Sequence, residues 1–114
     1  MKNEETVVMK HDLLAEPDGN VDALELNLED SLTIVEVGEL HQVLLGMLNG
    51  VGTINLRGGE VIRVDGAGIQ LLAALMKEAV QRQMQVRWVN SSTALRTAAA
   101  QLGLNSVLGL DEKV

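Results

Sequence analysis

Cysteine is absent from this 114-residue sequence, and so are phenylalanine and tyrosine. Without thiols there can be no disulfide, no thiolate zinc site and no cysteine nucleophile, and nothing points to an oxidising compartment. The one ring-bearing aromatic, Trp88, argues against base stacking and aromatic cages, which need several rings. Basic residues are also few. Nine Lys and Arg stand against 16 Asp and Glu, a net charge of -7. Such a chain repels a phosphate polymer, so nucleic acid is not an expected partner. No stretch approaches the roughly 18 uncharged apolar residues of a membrane span, so no membrane insertion is expected. The opening MKNEETVVMKHDLL carries acids and no long apolar run, which does not read as a secretory signal. The expected location is cytoplasmic.

What is present is aliphatic. Apolar residues make up 46% and charged residues 22%, a globular balance, so the core must be Leu, Val, Ile, Ala and Met. The length suits one small domain. Residues 1–20 are polar, hold the only proline (Pro17) and end in the turn-prone Pro17-Asp18-Gly19-Asn20. They are expected to be a flexible N-terminal arm or an edge strand near Val7 to Met9, with the domain proper over 21–114.

From Ala23 the pattern alternates. Leu24, Leu26 and Leu28 point one way and Glu25 and Asn27 the other, as in a half-buried strand. Leu32-Thr33-Ile34 extends a second short strand or leads into a helix. Leu40, Val43, Leu44, Met47 and Leu48 then repeat with helical period over about residues 35–48, stopped by Asn49-Gly50. Thr53-Ile54-Asn55-Leu56-Arg57 is a second strand, and Val61-Ile62-Arg63-Val64 follows a glycine break. A strongly apolar helix is expected from Ile69 to about Gln83, with Ile69, Leu72, Met76, Ala79 and Val80 as its stripe. Gln85 to Val89 form a third strand. Ser92 caps a further helix with Leu95, Ala98, Ala99 and Leu102 inward, ended by Gly103. Residues 105–110 add a last helical turn. Strands alternating with helices imply a largely parallel α/β sheet.

Enzyme chemistry is poorly supplied. His11 and His41 have no second ligand at metal spacing, so no metal is expected. There is no Gly-x-Ser-x-Gly elbow and no Walker loop. Gly66-Ala67-Gly68 begins like a dinucleotide fingerprint, but Leu71 replaces the third glycine and no carboxylate follows the next strand. No cofactor is expected. The informative stretch is Val64-Asp65-Gly66-Ala67-Gly68-Ile69, a strand-to-helix turn. Asp65 can cap the helix, and free N–H groups with the helix dipole suit an anion or an acidic partner side chain. Capping and tight turning alone would also account for these residues.

Taken with Leu32-Thr33-Ile34, Ile54-Asn55-Leu56, Val86-Arg87-Trp88-Val89, Ser92-Thr93-Ala94-Leu95-Arg96 and Leu102-Gly103-Leu104, this turn resembles the STAS domain (sulfate transporter and anti-sigma-factor antagonist) family. The resemblance covers about residues 22–110. It implies a small mixed sheet of about four or five strands flanked by about four helices. It also implies a non-enzymatic module that binds and regulates a protein partner. The partner would be an anti-sigma kinase-like protein, a chemotaxis component or an ABC ATPase. In sigma-factor antagonists the turn holds a serine that a kinase phosphorylates. That position is Ala67 here, and Gly66 before it also lacks a hydroxyl, so no phosphosite is expected. Asn55 stands where many relatives carry Asp.

The partner-binding residues implied are Asp65, Gly66, Ala67, Gly68 and Gln70, with Lys77 and Glu78 further along the same helix. The expected role is a bacterial signalling or chemotaxis-associated adaptor. The alternatives are the small STAS subunit of a lipid-asymmetry ABC transporter, or a nucleotide- or lipid-binding module. A homodimer is left open.

Overall fold

Leucine alternating with polar residues makes a strand with one buried side, and this pattern builds the middle of the molecule. The computed structural model describes residues 13–15, 23–48 and 52–110. Strand β1 (Leu13–Ala15) runs antiparallel to β2 (Ala23–Asn27). β2 pairs in parallel with β4 (Thr53–Gly58), and β4 with β6 (Gln85–Ser91). The sheet order is β1-β2-β4-β6. The short β3 (Ser31–Leu32) and β5 (Arg63–Val64) pair with each other in a separate two-stranded ladder. The expected third piece, residues 61–64, therefore narrows to two residues outside the main sheet. The edge strand expected near Val7 to Met9 and the Pro17 to Asn20 turn lie outside the described residues.

The registers explain the core. Leu24, Ile54 and Val86 form one row and Leu26, Leu56 and Trp88 the next. Both rows face the aliphatic core, with Leu26, Ile54 and Leu56 fully buried. The alternate row, Glu25, Asn55 and Arg87, faces the other way and stays polar. Arg57 Nε donates to Glu25 Oε1 on that face at 2.8 Å.

Helix α1 (Val37–Met47) buries Leu40, Val43, Leu44 and Met47, as its period dictates. The Asn49-Gly50 stop lies outside the described residues. Helix α2 (Gly66–Gln81) buries Ile69, Leu72, Leu75 and Ala79. It starts three residues before the expected Ile69, because Asp65 caps it and the glycines occupy its first turn. It ends before the expected Gln83, which takes φ 62° to turn the chain into β6. Helix α3 (Thr93–Gln101) is capped by Ser92, whose Oγ accepts from Leu95 N–H at 3.0 Å. Gly103, at φ 71°, ends it as expected, and α4 (Asn105–Leu108) follows.

Two stripe assignments are corrected. Val80 is 75% exposed although it lies only about 20° round the helix from the buried Ile69, because it stands in the last turn of α2. Leu102 is 46% exposed, because it is the C-cap residue and no longer follows the helical face.

Trp88 closes the end of the core near α4. Its Nε1–H donates to the Leu108 carbonyl at 2.7 Å. A Cβ on Gly58 would lie 2.8 Å from both the Trp88 ring and Leu95, so the ring takes the space that glycine leaves. Trp88→Phe keeps a ring and orphans the Leu108 carbonyl. Chemical denaturation should show a loss of about 1 kcal/mol beyond the change in packing.

Candidate functional site

The sequence Thr33-Ile34-Val35-Glu36 connects β3 to α1 and folds as a tight turn. The Glu36 carboxylate ties it together. Glu36 Oε1 accepts from Thr33 N–H at 2.9 Å and from the Thr33 hydroxyl at 2.7 Å. Glu36 N–H returns to the Thr33 carbonyl at 2.9 Å, and Val35 N–H donates to Thr33 Oγ1 at 3.2 Å. With its polar groups used internally, the turn pushes its two apolar side chains outward. Ile34 is 65% and Val35 81% exposed. β-branched residues are usually buried, so such a pair held on a braced turn is a candidate contact surface.

The start of α2 lies against this turn, and Asp65 is the joint. Its Oδ1 accepts from Gly68 N–H at 3.1 Å, capping α2. Its Oδ2 accepts from Ile34 N–H at 3.0 Å, across 31 residues of sequence. Asp65 N–H donates to the Leu32 carbonyl at 3.3 Å. One carboxylate thus fixes the helix start relative to the exposed turn.

Those backbone donors, Ile34 N–H foremost and Gly68 N–H next, hold the Asp65 carboxyl below its ordinary value of 3.8. A depressed folded pKa means the carboxylate's stabilisation is fully present above the ordinary value. It is lost as pH falls through the lower, folded value. Asp65→Asn still offers one acceptor oxygen but cannot serve both donors. Its stability should therefore fall less than that of the native chain over this acid range, as read by denaturation midpoints.

The other expected site residues divide. Gly66 and Gln70 are exposed, and Ala67 is half-buried in the first turn. Gly68 is buried, not surface. A Cβ there would lie 2.1 Å from the Leu32 carbonyl oxygen, so its role is to let α2 close on β3. Lys77 is exposed about 16 Å along the helix from Gly66. Glu78, beyond it, pairs with Arg82 at 2.9 Å. These two do not join the turn.

Three residues that sequence patterning did not place at the site are found there. Ile34 is expected at the end of a short strand or the lead into a helix, and Val35 at the start of that helix. Leu102, expected inward, approaches Gly66, 3.9 Å from where a Gly66 Cβ would stand. The signal available for the first two was an Ile-Val pair that neither neighbouring period requires. His41 is exposed on α1, at the rim of an apolar groove of about 230 Å³ shared with α2. His11 lies outside the described residues. Among the described residues no cluster of three or more His, Asp or Glu could hold a metal. Among the same residues no helix is long and apolar enough to cross a membrane.

A family model described as "Mlab, STAS domain" matches residues 16–110. No curated protein matches the chain. Among solved structures, the anti-sigma factor antagonist SpoIIAA in its unphosphorylated form is similar at TM-score 0.69 and 17% identity. That match covers 84% of this chain and 83% of SpoIIAA. The phosphorylated form of the same Bacillus cell-fate determinant matches at TM-score 0.66 and 17% identity, over 84% and 86% of the two chains. Mglu matches at TM-score 0.59 and 21% identity, over 72% of this chain and 20% of Mglu. At these identities the likeness to solved structures is one of fold.

Proposed function

Because this chain belongs to the STAS domain family, we propose that it is a regulatory protein-binding module whose docking surface is the start of α2 with the turn beside it. The observation that carries this is the exposed Ile34 and Val35, held next to the α2 N-terminus by Asp65. The surface offers a partner an apolar contact rimmed by the positive end of a helix dipole. The one hydroxyl–carboxylate pair on it, Thr33 with Glu36, also ties the turn together, and the role proposed for the module is binding. The SpoIIAA structures exist in phosphorylated and unphosphorylated forms. In this chain residues 65–68 are Asp, Gly, Ala and Gly, none with a hydroxyl. The role proposed here therefore does not use phosphate on residues 65–68.

The role proposed is that of a cytoplasmic signalling adaptor. A second reading is the small STAS subunit of a lipid-asymmetry transporter, with an ABC ATPase in the partner's place. It draws on the subtype for which the matching family model is named. Both use the same surface and differ in what they capture. The experiment is affinity capture with the full chain, identification of the captured protein, and measurement of its affinity for purified native and Asp65→Ala chains. Asp65→Ala frees the Ile34 turn from α2 and should weaken binding severalfold. Unchanged affinity would remove the turn from the docking surface. Capture of an ATPase would decide for the second reading.

A further inference from the structure

The far end of α2 lies about 20 Å from this surface and carries a different feature. β6 ends the sheet order, so its outer edge is unpaired among the described residues. Gln85 N–H donates inward to the Gly52 carbonyl at 2.9 Å. Backbone groups alternate along a strand, so Arg87 also faces β4, while Val86 and Trp88 turn N–H and C=O toward the open edge. Among the described residues no backbone hydrogen bond to another loop or helix involves the main chain of these two residues. Beside this edge a groove of about 350 Å³ runs between β6, α2 and α4, with Met76, Val80, Val86 and Val107 in its lining. Val80 is 75% and Val107 52% exposed.

The charge of this region is basic although the chain is acidic. The net charge is -7, yet no acidic residue lines this groove or the one adjoining it, while Arg87 lines the first and Lys77 the second. Arg87 lies on the polar side of the sheet, in the Glu25 and Asn55 row, and Lys77 on the helix side. Neither makes a salt bridge or side-chain hydrogen bond among the described residues.

We propose that the β6 edge is a second docking site, which takes an extended acidic segment of a partner protein as an added strand. Main-chain hydrogen bonds to Val86 and Trp88 would hold it. Because side chains alternate, its residues facing α2 and α4 must be apolar to meet Val80 and Val107. Those on the other face must be acidic to meet Arg87. A second copy of this chain pairing β6 to β6 is disfavoured, since that strand carries Arg87 and no acid.

The test uses the full chain and a labelled seven-residue peptide alternating valine with glutamate, the length of β6. Binding is followed by fluorescence anisotropy and by backbone amide NMR. Three controls accompany it: a lysine-for-glutamate peptide, a peptide N-methylated on the amides that would pair with β6, and the Arg87→Glu chain with its fold checked by circular dichroism. The proposal expects the glutamate peptide to bind and to shift the Val86 and Trp88 amides. It expects neither control peptide to bind, and Arg87→Glu to weaken binding about fivefold or more. It is overturned by equal binding of either control peptide, or by no binding at about 1 mM peptide. It is also overturned if the β6 amides shift with protein concentration alone, which would give the edge to a second copy.

Discussion

Gly68→Ala should cost about 3 kcal/mol of folding stability, more than alanine at any other of the described glycines whose surroundings are known. A Cβ at Gly68 would sit 2.1 Å from the Leu32 carbonyl oxygen, 2.7 Å from Leu32 Cγ and 2.9 Å from the Leu32 carbonyl carbon. Two of these atoms belong to the backbone of β3, so no rotamer change relieves the contact. Either α2 lifts from β3 or β3 shifts, and both disturb the bond between Asp65 N–H and the Leu32 carbonyl. Small domains have only about 5–15 kcal/mol to lose, so a Gly68→Ala chain should melt well below the native one.

Gly66→Ala, two positions away, is the control. There the nearest atom to the new Cβ is Leu102 Cδ1 at 3.9 Å, an ordinary contact. Alanine also favours the helix by up to about 1 kcal/mol. Gly66→Ala should be neutral or stabilising by denaturant titration. If the two substitutions behaved alike, helix propensity and not the approach of α2 to β3 would govern this position.

Ala67→Glu should separate binding from folding. Ala67 is in the first turn of α2 and half-buried beside the exposed turn. A carboxylate in the first turn of a helix is favoured by the dipole, by about 0.3–1 kcal/mol, so the melting temperature should hold or rise slightly. At a docking surface the same charge must be desolvated against the partner. With no counter-charge waiting, that costs about 2 kcal/mol or more, a loss of roughly 30-fold in affinity. The measurement is the affinity of the captured partner for native and Ala67→Glu chains, beside their thermal melts. A variant that melts normally and binds normally would make the turn structural only.

The parts of this fold that were legible in the sequence are those with a strong local period. Leu24 to Leu28, Leu40 to Met47, and Ile69 to Ala79 each repeat with the spacing of the element they form. The capping roles of Asp65 and Ser92 also follow from local chemistry. What was not legible depends on partners far along the chain. The β3–β5 ladder is two residues long, and its pairing is set by tertiary position. The second carboxylate oxygen of Asp65 is claimed by Ile34, 31 residues away, which no pattern encodes. Val80 and Leu102 obey the apolar spacing, but their places at the ends of α2 and α3 leave them open to solvent. Gly68, expected among the partner-binding residues, is buried against the Leu32 carbonyl, a contact that no local pattern encodes.

The central claim is that partners dock where Asp65 joins the Ile34-Val35 turn to the start of α2. Amide hydrogen exchange of the full chain, with and without the captured partner, tests it most directly. The expected result is new protection over residues 33–36 and 65–70, with the far sheet face around Arg57 unchanged. Protection confined to other surfaces, with residues 33–36 and 65–70 exchanging as in the free chain, would contradict it.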